Sequence, residues 1–208
     1  MKRSETYWNE AFADPSFRPE HDGWLERYEP LLDRNAGPIL DLGCGLGHNA
    51  RTLHAAGYPV IACDLSETAL ERLRREQPEL PVLRMDMAAG LPFADGSLQA
   101  AVADLSLHYF DEKTTFGIVR GIRRALREDG LLLCRLNAVE ELKRAPDPSP
   151  TDEPYLYESE GILRRFFDRE QIERFFPIAE WEPLHVQEYE SDRYGRVKRL
   201  WEVGLRMI

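Results

Sequence analysis

The chain has 208 residues, of which 43% are hydrophobic and 31% are charged. That length fits one domain with a substantial core, and that composition excludes wholesale disorder. The formal net charge of −10 argues against a nucleic-acid surface, because contacts with phosphates require a basic patch. No apolar stretch is long enough to span a bilayer, and the first residues lack the apolar core of a signal peptide. We therefore expect a single cytoplasmic domain over residues 1–208, with no membrane partner, as a monomer or a homodimer.

The cysteines and histidines argue against a metal site. Cys44, Cys63 and Cys134 each lie in or beside an apolar run, so we expect buried, reduced thiols, which fit a cytosolic compartment. Neither residue type shows the close spacing of a zinc site, such as C-x-x-C or H-x-x-x-H. No bound metal is expected.

Residues 1–36 are predicted to be helical. Apolar residues recur at three- and four-residue steps in the second half of this segment, and Gly37-Pro38 ends it. An aromatic-rich stretch comes first. Two interpretations stay open for that stretch: a helix that packs on the core, or a lid over a bound ligand. The aromatic residues are Tyr7, Trp8, Phe12 and Phe17, and the repeat contains Trp24 or Leu25, Tyr28, Leu31 and Leu32.

A glycine-rich loop at residues 43–47 is the feature around which the chain is organised. The apolar run 39–42 before it predicts a buried strand, and a helix is predicted from His48 to about Gly57. Glycine allows sharp turns and the close approach of a ligand to the backbone. Strand, glycine loop and helix together point a helix N-terminus at a nucleotide-like ligand. The dinucleotide pattern G-x-G-x-x-G/A fails here, because its last position is His48.

Alternating strands and helices follow the loop. Strands are predicted at 59–63, 82–85, 100–103 and 131–136, and helices run from the Ser66 cap to about 77 and from 114 to 128. Three of the predicted strands end in an aspartate: Asp64, Asp86 and Asp104. In open α/β sheets the ligand crevice lies at the carboxyl ends of the strands. We therefore expect a polar ligand across these strand tips.

The last third of the chain has a different character. Prolines at 146, 148, 150 and 154 predict that residues 138–160 lack regular structure. Asp168 and Gln171 have the spacing of a capping box, which predicts a helix through Phe176. Two extended runs close the chain, the second with strict alternation over 197–207, and Tyr194-Gly195 between them suits a hairpin turn.

The segment Asp41-Leu42-Gly43-Cys44-Gly45-Leu46-Gly47 resembles motif I of the class I S-adenosylmethionine-dependent methyltransferases, within the small-molecule branch of methyltransferase-domain types 11 and 25. The resemblance extends over about residues 36–207. It implies an α/β fold, a Rossmann-like three-layer α/β/α sandwich with a seven-stranded, mostly parallel sheet and an antiparallel last strand. It also implies S-adenosyl-L-methionine as the cofactor. The N-terminal helical lid would be residues 1–36, and the variable insertion on the substrate side would be residues 138–165.

The resemblance assigns roles to individual residues. Asp64 is similar to the acid that binds the ribose hydroxyls, with Leu65 against the adenine, and Asp86-Met87 is similar to the pair at the adenine amine. A two-oxygen acceptor about 20 residues past a glycine loop also suits a ribose on physical grounds. The expected cofactor-binding residues are Asp41, Gly43, Cys44, Gly45, Gly47, Asn49, Asp64, Leu65, Asp86, Met87, Asp104 and Leu105.

The expected catalytic residues, His108 and Tyr109, come just after the fourth predicted strand. A histidine there can position or deprotonate an acceptor near neutral pH, or it can pack under the next helix. The acceptor site is expected between Ser106 to Tyr109, the aromatic N-terminal residues, and Tyr155 with Tyr157 of the insertion.

A small-molecule methyl acceptor is the expected partner, and nucleic acid is not. Three alternatives stay open: a nicotinamide dehydrogenase, which the glycine spacing opposes; a cofactor-binding scaffold without turnover; and a methyltransferase acting on tRNA or protein, which the acidic composition opposes.

Overall fold

The computed structural model describes residues 2–18, 22–193 and 195–208. The α-helices are α1 (Lys2–Ala13), α2 (His48–Ala55), α3 (Glu67–Glu76), α4 (Glu112–Ala125) and α5 (Arg169–Phe175). Short 3₁₀ helices span Glu26–Leu31, Met87–Ala89 and Val139–Arg144. The strands are β1 (Ile39–Leu42), β2 (Val60–Asp64), β3 (Val82–Arg84), β4 (Leu98–Asp104), β5 (Leu126–Asn137), β6 (Ser149–Pro150), β7 (Leu156–Ser159), β8 (Ile162–Arg165), β9 (Trp181–Arg193) and β10 (Arg196–Met207).

The main sheet has seven strands within the described residues, in the order β3-β2-β1-β4-β5-β10-β9. Strands β1 to β5 are parallel to one another, whereas β10 is antiparallel to both β5 and β9. The prediction of a mostly parallel sheet with an antiparallel last strand is therefore confirmed. Because β10 runs the opposite way, its beginning lies at the same edge as the carboxyl ends of β1 to β5. The turn predicted before β10 includes Tyr194, which lies outside the described residues.

Helices cover both faces of this sheet, which confirms the three-layer arrangement. Along β4, Ala100 and Val102 pack in a core with α2, α3 and the segment around Tyr28. Ala101 and Ala103, on the other face, pack in a core with α4 and α5. This alternation follows from the two-residue period of a strand that is buried on both sides. No helix among the described residues is long and apolar enough to cross a membrane.

The N-terminal segment is not one continuous helix, so that prediction is wrong in detail. The first helix, α1, ends at Ala13, before Asp14-Pro15, where the proline disfavours helical backbone at the preceding residue. The predicted apolar repeat forms only the 3₁₀ turns Glu26–Leu31, which contain Pro30. Within them Tyr28 is buried, and its hydroxyl donates to Glu202 Oε1 at 2.9 Å.

The boundaries of α4 and β5 also differ from the prediction. Asp111 caps α4, since its carboxylate accepts from Thr114 N at 2.7 Å, so the helix begins two residues before Thr114. At the other end the chain leaves the helix after Ala125, because Leu126 already pairs with Leu98 of β4. The predicted stop at Asp129-Gly130 instead lies within β5, where the register between β4 and β5 shifts.

Residues 138–160, predicted to lack regular structure, contain two strands, and the insertion 138–165 ends in a third. Strands β6, β7 and β8 form a small antiparallel sheet there. Glu160 and Gly161 both have positive φ, 54° and 76°, the geometry of a tight two-residue hairpin turn between β7 and β8. Among the four prolines, only Pro150 lies in a strand, the two-residue edge strand β6, where a missing N–H is tolerated.

The two predicted helix caps are confirmed. Ser66 Oγ accepts from Ala69 N at 3.2 Å and starts α3. Asp168 Oδ1 accepts from Gln171 N at 2.8 Å and starts α5.

Candidate cofactor and acceptor site

A cavity of about 650 Å³ opens at the carboxyl ends of the parallel strands, beneath α1. This is the edge at which open α/β sheets bind ligands. Most of the residues singled out in the sequence meet there. Those that line the cavity are Gly43, Cys44, Gly45, Asp64, Leu65, Asp86, Met87, Asp104, Leu105, His108 and Tyr109.

The glycine loop between β1 and α2 has left-handed backbone at each glycine, with φ of 74° at Gly43, 54° at Gly45 and 76° at Gly47. Side chains at these positions would be strained in addition to being crowded. A Cβ on Gly43 would lie 2.5 Å from the Cβ of Ser106, and one on Gly45 would lie 3.0 Å from Phe12 Cζ. Glycine at these positions therefore allows Ser106 and Phe12 to pack closely against the loop.

Asp64, at the end of β2, is held by the loop and by α3. Its Oδ2 accepts from Gly45 N at 2.8 Å and its Oδ1 accepts from Ser66 N at 2.8 Å. Burial raises the pKa of Asp64, and the backbone hydrogen bonds oppose that shift. Each carboxylate oxygen can accept more than one hydrogen bond. Both carboxylate oxygens of Asp64 are thus fixed in orientation beside the cavity, and each retains capacity to accept a further hydrogen bond.

Asp41, Gly47 and Asn49 lie outside the cavity lining and support it from beneath. Gly47 is the N-cap of α2 and has no side chain to cap it. Asp41 supplies the missing acceptor, because its Oδ2 accepts a hydrogen bond from Ala50 N at 3.0 Å. Burial raises the pKa of Asp41 to about 7. Asn49 accepts from Trp24 Nε1 at 3.0 Å and donates to Asp104 at 3.4 Å. These residues position the loop in the structure and are not part of the cavity lining.

Asp104 forms a buried ion pair that the sequence analysis missed. Arg135 of β5 donates from Nε to Oδ1 and from Nη2 to Oδ2, both at 2.7 Å. His48 Nε2 lies 2.6 Å from Oδ2. Burial by itself would raise the pKa of Asp104, but the charge of Arg135 and these hydrogen bonds hold it well below its usual value. The available signal was Arg135 itself, a charge inside the apolar run of β5, where it requires a partner.

The guanidinium of Arg135 extends this network beyond the cavity. It lies 4.6 Å from the ring centre of Trp24, and its Nη1 donates to Asp22 Oδ2 at 2.5 Å and to Tyr189 Oη at 3.2 Å. Next in the chain, Leu105 has a left-handed φ of 54°, and its N–H donates to the Arg135 carbonyl at 3.0 Å. Strained backbone of this kind persists only where the surrounding structure holds it in place, and it is common at functional sites.

On the opposite wall, Leu65, Asp86 and Met87 border the cavity. Asp86 Oδ1 accepts from Ala88 N at 2.9 Å, so one of its oxygens holds the following turn. The Met87 methyl would lie 3.3 Å from a Cβ on Gly43, which places it beside the loop. Leu65 and Met87 therefore give the cavity an apolar surface, and the acid Asp86 also lines it.

His108 and Tyr109 lie on the far side of the loop. Their ring centres are 4.4 Å apart, and the ring of Trp8 on α1 meets Tyr109 edge-on at 5.0 Å. His108 is 1% exposed, and its Nδ1 has no hydrogen-bond partner among the described residues. Burial, together with the charges of Lys198 and Arg164, lowers the pKa of His108 to about 3. The imidazole is therefore neutral at physiological pH.

The acceptor side differs from the sequence prediction in its composition. Tyr7 and Trp8 border the cavity as expected, but Tyr155 and Tyr157 do not. Tyr157 packs edge-on against Phe166, with ring centres 5.8 Å apart. Four cationic side chains border the cavity instead, and the sequence analysis assigned them no role in binding: Arg144, Arg164, Arg196 and Lys198. Within the described residues, no group of three or more His, Cys, Asp and Glu side chains is arranged to hold a metal ion.

Comparison with known proteins gives a consistent result. The family described as "Methyltransferase domain" matches residues 39–130. A probable S-adenosylmethionine-dependent methyltransferase of Mycobacterium tuberculosis is 30% identical over 115 residues, which are 53% of this chain and 41% of that protein. A putative methyltransferase of Bacillus subtilis is 28% identical over 193 residues, covering 79% of this chain and 77% of the relative.

A solved structure of a SAM-dependent methyltransferase from Methanosarcina mazei superposes with a TM-score of 0.73 at 16% identity, covering 90% of this chain and 98% of that one. At that identity the likeness concerns the fold. This chain spans less than half the length of the Mycobacterium tuberculosis relative. The glycine loop, the strand-end acids and these matches agree: residues 39–130 form a methyltransferase domain of the class I S-adenosylmethionine-dependent family.

Proposed function

We propose that this chain binds S-adenosyl-L-methionine and transfers its methyl group to a small-molecule acceptor. The observation that carries the proposal is that one cavity is lined by both sets of residues. The glycine loop and Asp64 line it, and so do His108 and Tyr109. A cofactor held by the first set and an acceptor held by the second would therefore be adjacent.

The residues present fit the cofactor. Asp64 has remaining lone pairs for the ribose hydroxyls, and Gly43 and Gly45 line the cavity beside it. Leu65 and Met87 offer apolar surface to the adenine, with Asp86 at its edge. When bound, S-adenosylmethionine supplies a methyl group on a positively charged sulfur, which a nucleophile displaces in line.

The chain's own contribution is positioning and the exclusion of water. Holding two reactants in line is worth about 7–11 kcal/mol of the barrier. The first helix, α1, covers the cavity and is fixed to α3: Asn9 Oδ1 accepts from Ser66 Oγ at 2.8 Å, and Arg72 Nη1 donates to the Phe12 carbonyl at 2.7 Å. This cover favours a small acceptor over a macromolecule, as does the net charge of −10.

His108 would orient the acceptor as a neutral hydrogen-bonding group. With a pKa of about 3, it is a weak base until an acceptor changes its surroundings. Asp104 would act indirectly, because its oxygens are engaged by Arg135 and His48, and it fixes the end of β4 from which the acceptor side extends.

Calorimetry with S-adenosylhomocysteine and with NAD tests the cofactor. We expect the adenosyl ligand to bind and NAD not to bind. Asp64→Ala should weaken affinity at least about tenfold, because two charge-assisted hydrogen bonds to the ribose are lost. The control is Asp95→Ala, at an exposed acid paired with Arg124 outside the cavity. Normal affinity in Asp64→Ala, or NAD binding at this site, would contradict the proposal.

A second measurement separates the competing functions. Radiolabelled S-adenosylmethionine is incubated with the protein and with separate small-molecule, protein and RNA fractions. Transfer into the small-molecule fraction is expected. Tight cofactor binding without transfer into any fraction would favour a cofactor-binding scaffold without turnover. Label in RNA or protein would show that the methyl acceptor is a macromolecule and not a small molecule.

A further inference from the structure

Charge is unevenly distributed around the cavity. The acids Asp64, Asp86 and Asp104 lie at the carboxyl ends of β2 to β4, on the cofactor side. The cations come from segments that follow β5: the 3₁₀ helix 139–144, strand β8 and the beginning of β10. They converge because the antiparallel β10 starts at the edge where the parallel strands end. We call the four cations that line the cavity, Arg144, Arg164, Arg196 and Lys198, the basic wall. In a chain of net charge −10, this local excess of positive charge requires a specific explanation.

Arg164 is largely enclosed, with a side chain that is 16% exposed. Its Nη2 donates to Glu160 Oε2 at 2.6 Å and to Tyr7 Oη at 3.2 Å, at the rim of the cavity. Its Nε is buried and has no hydrogen-bond partner among the described residues. A guanidinium carries five N–H donors, and a buried donor left unmade is unfavourable.

His108 supplies a second unsatisfied nitrogen on the same wall. Its Nδ1 is buried and has no partner in the described part of the chain. The charges of Arg164 and Lys198 both act on this imidazole, and they lower its pKa together with burial. Arg164 of β8 and Lys198 of β10 line the cavity together with His108. An anion bound beside them would accept hydrogen bonds from the two cations and from the imidazole.

We propose, resting on the function proposed above, that the acceptor is a small organic anion whose carboxylate or phosphate group is bound by Arg164, Lys198 and His108. Trp8, Tyr109 and Phe166 give the same end of the cavity an aromatic wall for the organic part of the molecule. A negative acceptor is also matched in charge to a positively charged sulfonium.

The other two cations contribute less to this binding. Arg144 is paired at 2.7 Å with Glu141, whose side chain is 7% exposed, whereas Glu160, the partner of Arg164, is 49% exposed, so that solvent screens the second pair more strongly. Arg196 is exposed at the start of β10, where a positive charge attracts anions towards the opening rather than holding them.

The test uses probes that share one aromatic ring and differ in charge. Protein saturated with S-adenosylhomocysteine is titrated by calorimetry with phenylacetate, phenyl phosphate, 2-phenylethanol and 2-phenylethylamine. We expect at least one anion to bind at least about tenfold more tightly than the alcohol or the amine. The comparison of the two anions separates a carboxylate from a phosphate. Equal binding of the alcohol and the anions, or no binding of either anion, would overturn the proposal.

Variants identify the residues that carry the preference. Arg164→Gln and Lys198→Gln should each weaken anion binding at least about tenfold, and Arg164→Lys should retain part of it. The matched control is Arg206→Gln, which also lies on β10 but pairs with Glu182 at 2.7 Å outside the cavity. The affinity for S-adenosylhomocysteine is measured in every variant and should not change.

The outcomes distinguish the two proposals. Absence of S-adenosylhomocysteine binding in the unmodified protein contradicts the proposed function. Normal S-adenosylhomocysteine binding without an anion preference contradicts only the acceptor class. If Arg164→Gln loses cofactor affinity, the basic wall serves the cofactor and the inference is wrong. If the unmodified protein binds an RNA oligonucleotide and Arg164→Gln does not, the anion belongs to a macromolecule.

Discussion

Replacing His108 with glutamine should make the protein less sensitive to acid. His108 is 1% exposed, and its pKa falls from 6.5 to about 3 in the folded state. Burial is the largest cause; the charges of Lys198 and Arg164 act in the same direction, and that of Asp104 acts against them. A lowered pKa means that the unfolded state takes up a proton at a higher pH than the folded state. The stabilisation is therefore complete above pH 6.5 and is lost as the pH falls towards 3.

The size of the effect follows from the shift. At pH 4.5, two units below the unfolded pKa of 6.5, His108 in the unfolded chain is protonated and the folded form is not. At about 1.4 kcal/mol per pH unit, the unmodified protein loses about 3 kcal/mol of unfolding free energy between pH 7 and pH 4.5 through this one residue. His108→Gln costs stability at both pH values, since it disturbs a packed site, but it removes this pH-dependent part.

The assay is urea unfolding at pH 7 and at pH 4.5. The quantity compared is the change in unfolding free energy between the two pH values, because other groups, including Asp41, titrate in both proteins. His54→Gln, on α2 and outside the cavity lining, is the control and should keep the full loss. An equal loss of stability in the unmodified protein and in His108→Gln would refute the reasoning, since His108 would then not be buried in neutral form.

Two further predictions concern packing. Gly204→Ala should destabilise the protein by about 1–3 kcal/mol or more, because the new Cβ would lie 2.5 Å from Tyr28 Oη. Urea unfolding of Gly204→Ala and of Gly204→Ala with Tyr28→Ala checks this, and additive losses in the double variant would contradict it. Deleting residues 1–20 should open the cavity yet leave the Asp64 contacts, so S-adenosylhomocysteine still binds while turnover is abolished. Hydrogen exchange of residues 2–13 and 145–160 with and without that ligand tests the lid, and unchanged exchange together with a fully active truncated protein would exclude it.

The sequence determined the parts of this protein that depend on neighbours in the chain. The glycine loop with Asp41 before it, the aspartates at three strand ends, and the caps at Ser66 and Asp168 were all readable, because each is a local pattern of a few residues. Alternation and helical periodicity likewise gave the succession of strands and helices in the main sheet, and the family resemblance implied the antiparallel last strand. Boundaries were less secure: the start of β5 depends on its pairing with β4, which no local pattern records.

Only the tertiary structure decided which charges meet. Arg135 and Asp104 lie 31 positions apart in the chain and join because β5 pairs with β4. Arg164 and Lys198 come from two different sheets, and they line one cavity because β10 lies between β5 and β9 and runs opposite to both. Four prolines predicted that residues 138–160 would lack regular structure. In the structure the Glu160-Gly161 turn joins β7 to β8 in a small sheet, and β8 places Arg164 at the cavity. The basic wall is invisible in a composition of net charge −10, because it is made by strand order and not by any run of residues.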